Sequence, residues 1–275
     1  MSEILKCAPS HPVMFNGIFD DGEIMADFLN STGLFSISDP NSLLFTKQSL
    51  EEGIDLKTPL MDLVITIPPH TLLNVEMQNR KPNAYDINYR LGYYLSKLIG
   101  RSLEKGSGYQ SKECAVFAVL NFTLYNDERY LRTFLFTDEE NHKIPYFKII
   151  VLELTKISFC DKNKLKKWMS FFNTLEPLKL IGDDTMNKET DKAFTKAIRR
   201  AIELNASDEL AHLLDNYEKI EREIASQFDE GFYEGKAQGL EEGRTLIAKN
   251  LKEMGLSISE ISQATGLSEE VIEKL

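Results

Sequence analysis

Cysteine is scarce in this chain of 275 residues: Cys7, Cys114 and Cys160 lie far apart, with no Cys-x-x-Cys pair. That excludes a disulfide framework and a thiolate metal site, and the expectation is reduced thiols in a cytoplasmic protein. The four histidines, His11, His70, His142 and His212, have no metal-ligand spacing, so zinc is not expected. No apolar run approaches the roughly 20 residues that cross a bilayer. The opening MSEILKCAPSHPVMF lacks the charged-then-apolar pattern of a secretory signal. Also missing are a Gly-x-Ser-x-Gly elbow, a phosphate-cradling Gly-x-x-x-x-Gly-Lys and a dinucleotide fingerprint after a strand.

Excess positive charge is missing too, since the formal net charge is −11. A nucleic-acid partner is not thereby excluded, because the acids are concentrated late. Residues 203–244 carry twelve acids against four bases, which leaves the first 202 residues close to neutral. Two stretches of that near-neutral part are basic. One runs from Asn79 to Arg101 with Arg80, Lys81, Arg90, Lys97 and Arg101; the other runs from Lys156 to Lys167 with five lysines. Either could face a phosphate backbone, or be an ordinary solvated helix face.

What is present is a pattern of polar residues inside apolar strands. Residues 59–78, PLMDLVITIPPHTLLNVEMQ, read as two strands around a turn at Ile67-Pro68-Pro69-His70-Thr71. Side chains alternate along a strand, so Glu76 and Gln78 share a face and Met77 takes the other. If the strands pair as a hairpin, Asp62 lies roughly across from Glu76 and Gln78. Taken singly, Asp62 reads as a turn residue and Glu-x-Gln as the wet face of an edge strand. The neighbours Leu63, Val64, Ile65, Ile67, Leu72, Leu73, Val75 and Met77 instead suit strands buried on both faces. A carboxylate buried there needs a partner, a proton or a metal. Two carboxylates and an amide oxygen are hard ligands that suit Mg²⁺ or Mn²⁺, and such an ion can activate water against a phosphodiester.

Around this pair the sequence predicts a helix over 15–35 ending at Gly33, a short strand or turn over 43–50, and a long helix over 84–103. Strands follow at 114–122, 131–136 and 148–154. Helix, hairpin, helix and strand in that order give an α/β core with a mixed sheet. Arg90 and Tyr94 share a helix face. Arg90 either points at a phosphate, braces Asp62 or Glu76, or pairs with Asp86. Glu153 and Lys156 read as a structural ion pair.

The ordered set of Asp62, Glu76-Met-Gln78, Arg90-Leu-Gly-Tyr-Tyr94, Lys105-Gly106-Ser-Gly-Tyr109, Ala115–Phe122 and Val151–Lys156 resembles the PD-(D/E)XK nuclease superfamily. Within it, the set is most similar to the recombination-promoting nuclease, or transposase, family of bacteria. The likeness covers about residues 13–160, with FNGIFDDGEIMADFLN from Phe15 as the opening helix. It implies a PD-(D/E)XK nuclease-like core, a mixed central sheet flanked by helices, and a C-terminal all-helical extension. It also implies a Mg²⁺- or Mn²⁺-dependent DNA endonuclease, linked to recombination or to mobile-element or phage biology. Asp62 and Glu76 would be metal ligands, joined by a carbonyl near residue 77 and, as a first-helix acid can do in the superfamily, by Glu23. Gln78 stands where most of the superfamily has a lysine that orients water; the amide can orient water but carries no charge. Lys81 or Arg90 could supply that charge. The alternative is a nuclease fold retained for protein contact or DNA binding without cleavage.

Beyond the core the chain reads as helical and polar. Trp168, Met169, Phe171 and Phe172 form an apolar patch, and Ala193–Leu204 and Leu210–Phe228 are amphipathic. Gly231, Gly235, Gly239 and Gly243 then recur every four residues, a stripe that would let another helix approach closely. The end, from Leu246, reads as a small helix-turn-helix-like unit with Ser257 or Ser259 and Ser268 as caps and turns at Gly255 and Gly266. Its last helix, SEEVIEKL, is acidic and would repel phosphate, which favours packing or oligomerisation over DNA reading. The expected division is a core over 1–160, a helical extension over 161–228 and a tail over 229–275, with a dimer formed through the C-terminal helices.

Overall fold

The computed structural model describes residues 4–46, 63–79, 87–102, 112–181 and 191–275, with backbone only at 220–234 and 237. By its contacts the chain divides into residues 1–214 and 215–275.

The first unit is built on a six-stranded mixed sheet in the order β1-β2-β3-β4-β6-β5. The strands are β1 (Leu44–Thr46), β2 (Leu63–Ile67), β3 (Thr71–Gln78), β4 (Glu113–Leu120), β5 (Leu131–Thr137) and β6 (Lys143–Glu153). Antiparallel β2 and β3 meet through a three-residue turn, with Ile67 paired to Thr71 and Leu63 to Val75. The pairs β3–β4 and β4–β6 are parallel. A parallel neighbour needs a crossover, and α3 (Ile87–Ser102) supplies it between β3 and β4.

Alternation splits the sheet between two cores. Leu73, Val75, Met77, Ala115, Phe117 and Val119 face one layer, made of α1 (Pro12–Phe19), α2 (Gly22–Ser31), α4 (Asn163–Asn173) and α5 (Lys192–Ala206). Aromatic rings fill this layer. Phe19 stacks on Phe15 at 4.8 Å and on Phe172 at 5.2 Å, while Trp168 sits edge-on to Phe194 at 5.0 Å. The buried indole N–H of Trp168 donates to Asp27 at 3.1 Å. Helices α4 and α5 thus share one core with the sheet. On the opposite face, Cys114, Val116, Ala118, Leu120 and Val151 pack against Leu91, Tyr94, Leu95 and Leu98 of α3. No helix among the described residues is long and apolar enough to cross a membrane.

One helix was expected over 15–35; the chain instead forms α1 and α2 with a break at Asp20-Asp21. Asp21 is extended at φ −145°, ψ 123°, and its carboxylate accepts from the backbone N–H of Glu23 and Ile24. A local cap therefore overrides continuous apolar periodicity. Gly22 follows because any Cβ there would run into the backbone carbonyl of Pro40. Gly33, at φ +73°, ends the second helix as anticipated. At the far edge, β6 begins at Lys143, five residues earlier than expected, and pairs with β5 as a hairpin whose register shifts between Leu135 and Phe136. Phe134, Leu135, Phe136, Ile144 and Tyr146 are exposed on it.

The second unit holds the end of α6 (Asp208–Glu253), then α7 (Ile258–Thr265) and α8 (Glu269–Glu273). Ser257 and Glu260 form a reciprocal capping box at the start of α7. Gly266 ends that helix at φ +72°, a left-handed conformation that a glycine adopts without strain. Ala248, Ile261 and Ile272 make its small core.

Asp21 also receives Lys196 at 2.8 Å and Arg200 at 3.3 Å, which ties α2 to α5. Burial pushes the Asp21 carboxyl up, but the Lys196 hydrogen bond, the Ile24 N–H and the charges of Lys196 and Arg200 together hold it below the ordinary carboxylate value. A depressed carboxyl stabilises above its unfolded pKa and loses that effect as pH falls. Asp21→Ala is therefore expected to lose about 1 kcal/mol at neutral pH. Urea midpoints measured against pH should show the gap to wild type constant above about pH 5 and narrowing below about pH 4.

Candidate active site

Strand β3 carries its polar residues toward α3. Because Leu73, Val75 and Met77 belong to the aromatic layer, Asn74, Glu76 and Gln78 take the other face. Their parallel partners on β4 are Val116, Ala118 and Leu120, two of the three longer than alanine and all apolar. Glu76 is fully buried. Asn74 Nδ2 donates to Glu76 Oε1 at 2.8 Å, and Gln78 Nε2 donates to Glu76 Oε2 at 3.3 Å. The carboxylate is held between two amides that lie on either side of it in the strand. Asn74 is itself fully buried, whereas Gln78 is half-buried. Sequence reasoning missed Asn74. Its signal was there, an amide at the same strand parity as Glu76 and Gln78 inside an apolar run.

The other expected site residues divide three ways. Arg90 lies on α3, the helix that packs on the Glu76 face, and its Nε donates to the hydroxyl of buried Tyr94 at 2.8 Å. Asp62 lies outside the described residues, as do Lys81, Gly106, Tyr109 and the Asp86 considered as a partner of Arg90. Leu63, the chain neighbour of Asp62, pairs with Val75, the neighbour of Glu76. Glu23 is not brought to Glu76. It sits in the first turn of α2, on the aromatic side of the sheet, with its carboxylate exposed and paired to Lys196 at 2.6 Å. The aspartate cap that breaks the first helix fixes Glu23 beside α5 instead.

At the end where β3, β4 and β6 all finish, a loop over 121–130 closes on the sheet. Asn121 N donates to Gln78 O at 2.8 Å, and Asn121 Nδ2 donates to Asn79 Oδ1 at 3.2 Å. Farther across, fully buried Glu153 accepts from Leu124 N at 2.7 Å, Tyr125 N at 3.2 Å and Lys156 Nζ at 2.8 Å. Lys156, also buried, reaches Asp127 at 3.4 Å. The N–H of Arg129 holds the Asp127 carboxyl below the usual range against partial desolvation, with help from Arg132 and Lys156. The expected ion pair of Glu153 and Lys156 is thus the anchor of a loop. Tyr125 extends this loop to α3 by donating its hydroxyl to Asn88 Oδ1 at 3.0 Å.

A carboxylate on the third strand of a mixed sheet, one residue from a glutamine and facing a crossover helix, is the frame in which comparison with known proteins gains meaning. The family model described as PD-(D/E)XK nuclease family transposase matches residues 14–231. The chain belongs to this family. No curated protein and no solved structure matches it. Membership points to a hydrolase of the nuclease class, and PD-(D/E)XK nucleases generally use divalent metals. Among the described residues no group of three His, Cys, Asp or Glu could hold a metal. What is present fits a hard cation in kind: the buried carboxylate of Glu76 and, beside it, the amide of Gln78, whose oxygen is a hard donor.

In this member of the PD-(D/E)XK family the anchor of the strand-end loop can be tested by itself. Lys156→Met removes the cation from Glu153 and leaves a carboxylate buried without its charge partner. The expected loss is about 3–5 kcal/mol. Adding Glu153→Gln should recover part of it, and urea unfolding of the two single variants and the double variant measures both.

Proposed function

We propose that this nuclease-family member is a Mg²⁺- or Mn²⁺-dependent DNA endonuclease whose reaction centre is Asp62, Glu76 and Gln78. The observation that carries the reading is Glu76, a fully buried carboxylate held by amides on the face that packs against α3. A carboxylate buried in an apolar strand costs free energy unless it is partnered, and a bound cation is one such partner. Asp62 and Glu76 would hold the cation, with a backbone carbonyl near Met77. Such an ion, when bound, makes water a stronger nucleophile and offsets charge on the phosphate. Gln78 hydrogen-bonds the water whose oxygen attacks phosphorus as the ester P–O bond breaks. It brings no charge of its own. Arg90, or Lys81 in the same basic stretch, supplies the positive charge that steadies the phosphate. The apolar packing of Val116, Ala118 and Leu120 around Glu76 keeps bulk water from competing for its oxygens. A role in recombination or mobile-element biology follows from the family description alone.

The same reading includes pairing of two copies through the C-terminal helices, so that two centres could act on two strands. It is supported by Gly235, Gly239 and Gly243, where an added Cβ would meet nothing within 4 Å among the described residues. Exposed Leu240 and Ile247 lie on the same helix. Sedimentation of the full chain and of residues 1–228 tests it. A dimer reduced to a monomer by the truncation is expected, and two chains each of monomer mass would remove the tail from the mechanism.

Cleavage of supercoiled plasmid with Mg²⁺, Mn²⁺, Ca²⁺ or EDTA tests the chemistry. Nicking or linearisation is expected with Mg²⁺ or Mn²⁺ only. Asp62→Ala and Glu76→Ala, each still folded, should lower the rate at least about a hundredfold, a loss of roughly 2.7 kcal/mol or more. Cleavage unchanged in both variants would sink the assigned centre, and salt-dependent DNA binding without cutting would favour a non-catalytic role.

A further inference from the structure

Glu76 is gripped unequally. Its contact to Asn74 is 2.8 Å and its contact to Gln78 is 3.3 Å. The tighter partner is the one sealed from solvent, and the looser one is half-buried. Asn74 turns its NH₂ toward the carboxylate, and Glu76 Oε1 accepts from it. That choice leaves Asn74 Oδ1 buried and without a partner among the described residues. A valine or leucine would leave no such atom among Val64, Val116 and Ala118, the apolar residues of this face. The sequence thus carries a buried amide whose one satisfied function is the hydrogen bond to Glu76.

We infer that Asn74 is a positioning residue that keeps Glu76 Oε1, so that Oε2 is the oxygen Glu76 presents to a divalent cation. The inference rests on the metal-site reading above and deepens it. Gln78, the looser donor, is the one that yields when Oε2 is taken, and its amide is then free to turn to water. A single strand thereby assigns three amide and carboxylate groups to three tasks. Asn74 fixes the ligand, Glu76 binds, and Gln78 exchanges. Asn74 does not touch substrate in this scheme and acts through Glu76.

Mn²⁺ binding to the full chain, followed by titration calorimetry, is compared among wild type, Asn74→Leu and Glu76→Gln, with melting curves for each. Leucine keeps the branched outline of asparagine, although it is bulkier, and makes no hydrogen bond. Asn74→Leu is expected to melt below wild type, because Glu76 Oε1 loses its donor, and to bind Mn²⁺ about tenfold to a hundredfold more weakly, as outer partners of metal ligands do. Weaker binding at a temperature where the variant is folded supports the role whatever its melting point. An affinity within about twofold of wild type overturns it. Side-chain amide ¹⁵N–¹H signals give a second readout. On adding Mg²⁺ the Gln78 signal is expected to shift while that of Asn74 stays, and the reverse would assign the released oxygen to Oε1 and overturn the scheme. Glu76→Gln separates the two levels. If it binds Mn²⁺ as tightly as wild type, the metal site itself is wrong; if it loses binding while Asn74→Leu keeps it, only the role of Asn74 is wrong.

Discussion

A carboxylate inside a sheet must be given donors, and most of the first unit can be read as the arrangement that does so. Glu76 sits on β3 beside Ala118 of β4, one residue past the Val75 that pairs with β2, on the face that α3 covers. It is buried there, and its oxygens accept hydrogen bonds from within the protein. Alternation makes that possible in one short strand, because residues two apart share a face. Leu73, Val75 and Met77 meanwhile anchor the other face in the aromatic layer, so the polar face cannot rotate away without exposing three large apolar side chains.

The two faces of the sheet have different work. Rings from α1, α2 and α4 interlock on one side, where fully buried Trp168 and Phe28 leave little freedom. The α3 side is smaller and is the one that holds polar groups. A rigid layer behind a polar layer is a common requirement for holding reactive groups to a fraction of an ångström. The loop over 121–130 extends the same logic beyond the strands. Its shape depends on Glu153, a carboxylate buried as deeply as Glu76 but paired with a lysine and two backbone N–H groups. Of two equally buried glutamates, Glu153 is closed by a lysine, and Glu76 accepts from the amides of Asn74 and Gln78.

Much of this was legible before any coordinates. The parity of Glu76 and Gln78, the turn at the two prolines, the crossover helix with Arg90 and Tyr94, and the Glu153–Lys156 pair all follow from periodicity and charge in short windows. What was not legible depends on distant residues. The break at Asp21 is made by its cap on Glu23 and Ile24 and reinforced by Lys196 and Arg200 on α5 and by the carbonyl of Pro40 against Gly22, and the last three are distant contacts that a local apolar stripe does not reveal. Glu23 followed the same error, since its pairing with Lys196 depends on where that break places it. Asn74 was passed over for another reason. An asparagine in a run of apolar residues reads as an interruption until its neighbour two positions on proves to be a buried acid.

The hairpin of β5 and β6 has a consequence for how the chain behaves at high concentration. Its outer strand shows Phe134, Leu135 and Phe136 to solvent and is an edge of the sheet among the described residues. A straight strand of that composition is a template on which other chains stack. The register shift between Leu135 and Phe136 bends it, and the turn beyond carries Asp138, Glu139 and Glu140. The irregularity and the negative tip act as gatekeepers, keeping the outermost strand of a nuclease sheet from seeding its own aggregation.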